Sequence, residues 1–182
     1  MKKYLFILFF ILLTSKVSAS IKSNIIYNLN NIDNIFFKFE QNINSKTENG
    51  ECIIQYPKKI FCKYNLKNKK ILVSNGKSLV IKSLSSYYLY PLDKTPLDLI
   101  LDKDFLISAI NNSDERIIED KFINYSFFEK DNEINIFFDK NTYELIGWQT
   151  LDIYQNLSIT FISSTVKNQK LKKNLFKIPK QN

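Results

Sequence analysis

The chain has no histidine among its 182 residues. That removes the usual general base and the usual transition-metal ligand in one stroke. Glycine occurs three times, at Gly50, Gly76 and Gly147, too sparsely spaced to build a phosphate-cradling loop. Neither a Gly-x-Ser-x-Gly elbow nor a zinc-type cysteine pair is present. Arg116 is the sole arginine, so the formal net charge of +8 rests on lysine, and the lysines are scattered along the chain. Nucleic-acid binding wants a basic stripe with interleaved aromatics or arginines, and none forms here. Carboxylate groups such as Glu119-Asp120 and Glu129, Asp131, Glu133 fall on expected turns and wet faces. The reading is of a non-enzyme with no metal and no cofactor.

Hydrophobic surface is what the chain has in quantity: 15 Phe, 10 Tyr and one Trp. Residues 1–19 carry Lys2 and Lys3, then the apolar run from Tyr4 to Leu13, then Val17-Ser18-Ala19 before Ser20. This is the pattern of a cleaved export signal, and the apolar run is shorter than the roughly 20 residues that span a bilayer. Residues 20–182 are expected to form one exported domain.

The period of the apolar positions then divides the chain. Between Ser20 and Ile35, apolar Ile21, Ile25, Leu29 and Ile32 share one helical face. From Phe36 the period drops to two, with Phe37, Phe39, Gln41 and Ile43 on one side of a strand. The alternation continues through Cys52, Ile54 and Tyr56, and through Ile60, Cys62 and Tyr64. Gly50 is read as a turn, Pro57-Lys58 as the bend of the next hairpin, and Asn75-Gly76 as the bend of another. Tyr87 to Tyr90 is a further strand stopped by Pro91.

Thr95-Pro96-Leu97-Asp98-Leu99-Ile100-Leu101 changes character. Thr95 suits an N-cap, Pro96 the first turn and Asp98 the helix dipole. A helix this short is stable only if docked on apolar surface. Phe105 to Ile110 is read as a second helical piece. Strands then follow over Arg116 to Ile123, Tyr125 to Lys130, Glu133 to Phe138, Tyr143 to Leu151 and Leu157 to Ser163. Gly147, beside Trp148, marks a bulge or bend.

Cys52 and Cys62 flank one turn with the same parity, so they either close a cross-strand bridge or sit as two buried thiols; their shared hairpin favours the bridge. The aromatic excess likewise either fills a core or lines an apolar cavity on a concave sheet.

In order and spacing, several motifs are similar to those of the periplasmic outer-membrane lipoprotein carriers, the LolA family. They are Phe37-x-Phe39-x-Gln41, Gly50, Tyr56-Pro57, Ile71 to Leu79 around Asn75-Gly76, Thr95 to Leu101, Asp152 with Gln155-Asn156, and Leu175-Phe176-Lys177-Ile178-Pro179. The resemblance implies a mainly β fold, an unclosed antiparallel β-barrel with helices covering its concave face as a lid. It implies a monomeric periplasmic chaperone that takes acylated lipoproteins from an inner-membrane ABC transporter to an outer-membrane acceptor, in some systems a related lipoprotein. A binding or sensing module of similar half-barrel fold that moves no lipid is the alternative. By position, Phe37, Phe39, Ile54, Ile60, Cys62 and Tyr64 would face the lipid cavity. Tyr56, Pro96, Leu97, Ile100 and Leu101 would belong to the lid. The family's arginine before the hairpin proline is replaced here by Tyr56, whose hydroxyl would offer the lid a single neutral contact.

Overall fold

The computed structural model describes residues 20–129, 132–152 and 155–181. The expected export signal lies outside the described residues. Eleven antiparallel strands form one sheet: β1 (Asn34–Ile43), β2 (Lys46–Gln55), β3 (Lys59–Tyr64), β4 (Ile71–Asn75), β5 (Ser78–Lys82), β6 (Tyr87–Pro91), β7 (Arg116–Ile118), β8 (Phe122–Glu129), β9 (Asn132–Asp139), β10 (Leu145–Leu151) and β11 (Leu157–Lys167). Their order is β6-β5-β4-β3-β2-β1-β11-β10-β9-β8-β7, and the sheet does not close. It is an open half-barrel.

Among the described residues three helices lie against it: α1 (Ile21–Asn30), α2 (Leu97–Ile100) and α3 (Lys103–Asn112). No helix among the described residues is long and apolar enough to cross a membrane. The segment holding α2 and α3 leaves β6 and rejoins the sheet at β7, so it runs from one edge strand to the other.

Local chemistry accounts for most boundaries. Ser20 caps α1 by accepting from the Ser23 N–H at 3.1 Å, and Asp102 caps α3 by accepting from the Phe105 N–H at 3.1 Å. Helices α1 and α3 also cap each other reciprocally. Lys22 Nζ donates to the carbonyls of Asn111 and Ser113 at the end of α3, while Lys103 Nζ donates to those of Asn30 and Ile32 at the end of α1.

The expected hairpins are present, with two differences in their turns. Gly50 is not in a turn but inside β2, opposite Phe39 on β1. A Cβ there would lie 2.2 Å from the Lys63 carbonyl oxygen and 2.9 Å from the Phe39 ring. The bend before it is Asn44-Ser45, both with positive φ. Likewise the strand expected from Arg116 to Ile123 is broken by a turn at Glu119-Asp120, again at positive φ. At Gly147 the β9–β10 register slips, and a Cβ would meet the Thr160 carbonyl oxygen at 2.3 Å. The bend read there is a bulge.

The concave face holds the core. Ile35, Phe37 and Phe39 of β1 continue across β2 and β3 as Ile54, Cys52, Ile60, Cys62 and Tyr64, and across the other half as Ile134, Ile136, Phe138 and Trp148. Phe37 meets Trp148 edge-on at 6.1 Å and Phe39 meets Tyr64 edge-on at 5.0 Å. Cys52 and Cys62 pair directly across β2 and β3 and form a disulfide. On the convex face Val73 and Val80 are also buried, and the C-terminal segment crosses toward β6, where the Tyr87 hydroxyl donates to the Pro179 carbonyl and Lys82 Nζ to that of Lys180.

Candidate functional site: a cavity beside the lid

The cover is α2 with the turns before and after it. Thr95 does not cap this helix, because its hydroxyl turns back to donate to the Leu92 carbonyl at 2.8 Å. Leu99, Ile100 and Leu101 are buried in the concave core. Burial of roughly three large aliphatic side chains is what holds four helical residues in place.

A second device pins the cover to the bend between β2 and β3. The Lys58 N–H donates to the Leu101 carbonyl at 2.8 Å. Lys58 Nζ reaches Asp98 Oδ1 at 2.9 Å and Asp102 Oδ2 at 3.4 Å. The Asp98 side chain is only 8% exposed, so this is a part-buried pair at the helix N-terminus. Its hydrogen bond to Asp98 raises the Lys58 ammonium above its ordinary 10.5. The Lys58 carbonyl in turn accepts from the Ser74 hydroxyl at 2.9 Å, which ties the bend to β4.

Tyr56, where the family arginine would stand, packs against the core, and burial raises its phenol above the ordinary range. The Lys103 ammonium sits 5.9 Å from its ring centroid. Among the described residues its hydroxyl meets no lid carbonyl. Sequence reasoning passed over Lys58, which looked like one surface lysine of many.

An open space of about 330 Å³ lies beside α2 on the concave side. That is within the size range of ligand pockets, at its lower end. Its roof is Thr95, Pro96 and Leu97. Leu72 of β4 and Leu79 and Ile81 of β5 line one side, with Ser83 and Ser86 beyond β5; the other side is mixed, with Gln41 and Ile43 of β1, Trp148, Thr150 and Leu151 of β10, Asp152, and Ser158 of β11. Asn68 and Lys70 stand at the end where the β3–β4 loop turns. Lys70 pairs with Glu48 at 2.5 Å and lies 4.1 Å from the Tyr64 ring centroid. Burial, with Glu48 nearby, lifts the Tyr64 phenol above its ordinary range.

The residues singled out from sequence therefore divide. Phe37, Phe39, Ile54, Ile60, Cys62 and Tyr64 share one buried cluster with Ile100 and Leu101, and none of the six borders the open space. Pro96 and Leu97 border the open space. The polar wall was visible only in Gln41, whose parity already placed it beside Phe37 and Phe39.

The model of the family described as "Outer membrane lipoprotein carrier protein LolA" matches residues 30–179. The chain belongs to the LolA family. A search of curated proteins finds no match. Among solved structures, an uncharacterized conserved protein from Thermus thermophilus is similar with a TM-score of 0.51 at 7% identity, covering 86% of this chain and 93% of that one. MucB gives a TM-score of 0.51 at 11% identity, over 91% of this chain and 64% of that one. A LolA superfamily protein from Nitrosomonas europaea gives 0.42 at 8% identity, over 88% and 99%. At 7% and 11% identity, the likeness to the first two is one of fold alone.

Proposed function

We propose that this chain is a periplasmic chaperone for lipoproteins, holding their acyl chains in the covered cavity and carrying them from the inner to the outer membrane. The observation that carries the reading is the roofed space beside α2, whose cover is docked by apolar contacts and pinned by Lys58. Each buried methylene is worth about 0.8 kcal/mol, so acyl chains need shelter to cross water. A cover that lifts lets them leave.

In the closed form the space is small, and Phe37, Phe39, Ile54, Ile60, Cys62 and Tyr64 lie outside it, in the same buried cluster as Ile100 and Leu101 of the cover. When α2 lifts, these same side chains become cavity wall, so the volume available to acyl chains grows with opening. The disulfide fixes β2 to β3 on the side where Lys58 holds the cover. Partners in this reading are an acylated lipoprotein, an inner-membrane ABC transporter that releases it, and an outer-membrane acceptor. No chemistry of bond making is required.

The test is release and capture. The purified protein, mixed with inner-membrane vesicles, ATP and an acylated lipoprotein, should draw that lipoprotein into the soluble fraction as a complex. If the lipoprotein stays on the vesicles and none co-purifies from the periplasm, the chain is a binding or sensing module that moves no lipid.

A further inference from the structure

The cavity is not uniformly greasy. Gln41 Nε2 donates to the hydroxyl oxygens of Ser158 and Thr160, each at 3.1 Å, so the protons of those two hydroxyls point elsewhere. Thr150 pairs with Ser158 across β10 and β11 and borders the cavity. It is 8% exposed, and its Oγ1 is buried with no hydrogen-bond partner. A buried hydroxyl without a partner is destabilising and calls for an explanation. Pure hydrocarbon would give it none.

From this asymmetry we propose that the β10–β11 wall is a subsite for the carbonyl groups of the cargo, the ester or amide oxygens where acyl chains join their head. The hydroxyls of Thr150 and Ser158 are the donors, and the apolar wall of Leu72, Leu79 and Ile81 takes the chain. The inference rests on the carrier reading and names what that cavity recognises besides hydrocarbon. A 120° change of the Thr150 χ1 moves Oγ1 to the staggered position that the methyl or Hβ now holds, and the subsite requires the rotamer that turns the hydroxyl toward the space the side chain borders. The donors are neutral and unspent, so they select an acceptor. A site built to hydrogen-bond one group discriminates against the analogue lacking it.

The experiment compares two probes on the purified protein: a synthetic lipopeptide with two palmitoyl esters on its glyceryl group, and its diether counterpart with two hexadecyl chains. The wild type should bind the ester form about tenfold more tightly, the worth of about one good hydrogen bond. Thr150→Val should erase that preference without lowering the melting temperature, and Thr150→Ser should keep it. If Thr150→Val does not fold, Ser158→Ala is read in its place. Equal binding of both probes by the wild type, or a preference that survives in Thr150→Val, overturns the subsite while leaving the carrier standing. Binding of neither probe overturns the carrier reading and the subsite with it.

Discussion

Replacing Lys58 by methionine keeps the side-chain length and the main-chain N–H while removing the ammonium. The bond from that N–H to the Leu101 carbonyl therefore survives, and only the pairs to Asp98 and Asp102 are lost. An exposed pair is worth up to about 1 kcal/mol, whereas breaking a buried pair costs about 3 to 5 kcal/mol because a charge is left uncompensated. Here Asp98 is 8% exposed but Lys58 is 33% exposed, so solvent screens one partner and not the other. An intermediate cost of about 2 kcal/mol follows, which is about a thirtyfold rise in the population with the cover lifted. Hydrogen exchange at the Leu97 to Asp102 amides should accelerate by that factor, while amides in β1 and β11, at the centre of the sheet, should change less. The wild type should also loosen at high pH. Since the folded ammonium titrates above 10.5, its contribution is complete below that value and is lost as pH rises through the folded pKa. Equal acceleration of exchange across sheet and cover would refute the reasoning, because the pair would then support the whole fold and not the closed lid.

Reducing the Cys52–Cys62 bridge, or replacing both residues by alanine, should cost about 3 kcal/mol by loop entropy for residues ten apart, measured by urea unfolding. Gly50→Ala should destabilise by more than about 2 kcal/mol, since its Cβ would strike the Lys63 carbonyl; failure of the variant to accumulate in soluble form is the readout. Tyr125→Phe removes a buried hydroxyl that has no partner, and its burial pushes the phenol up to about 12. That variant should match or exceed the wild type in melting temperature, by up to about 1 kcal/mol of stability.

Alternation made much of the sheet readable in advance. Ile134, Ile136 and Phe138 stand on the concave face as their spacing implies, and Asn75-Gly76 bends β4 into β5. Cys52 opposite Cys62 follows from a register that one short turn sets. What stayed hidden depends on partners far along the chain. Lys58 acquires its role only because Asp98, forty residues later, folds over it. Gly50 looked like a turn because glycine usually signals one. In the sheet it is a gap in β2 that leaves room for the Phe39 ring, a need that is visible only once β1 is laid beside it. The polar wall escaped for a similar reason: Thr150 and Ser158 are ordinary strand residues until their shared face is known.

The connection that carries the cover runs from β6 to β7, the two free edges of the sheet. It is a bowstring on a bow. Spreading the sheet would stretch the string, and lifting the string would let the bow relax, so the curvature of eleven strands and the position of four helical residues are mechanically linked. A substitution that flattens the sheet far from α2, at the β-bulge beside Gly147 for instance, is therefore expected to change hydrogen exchange at the Leu97 to Asp102 amides as well.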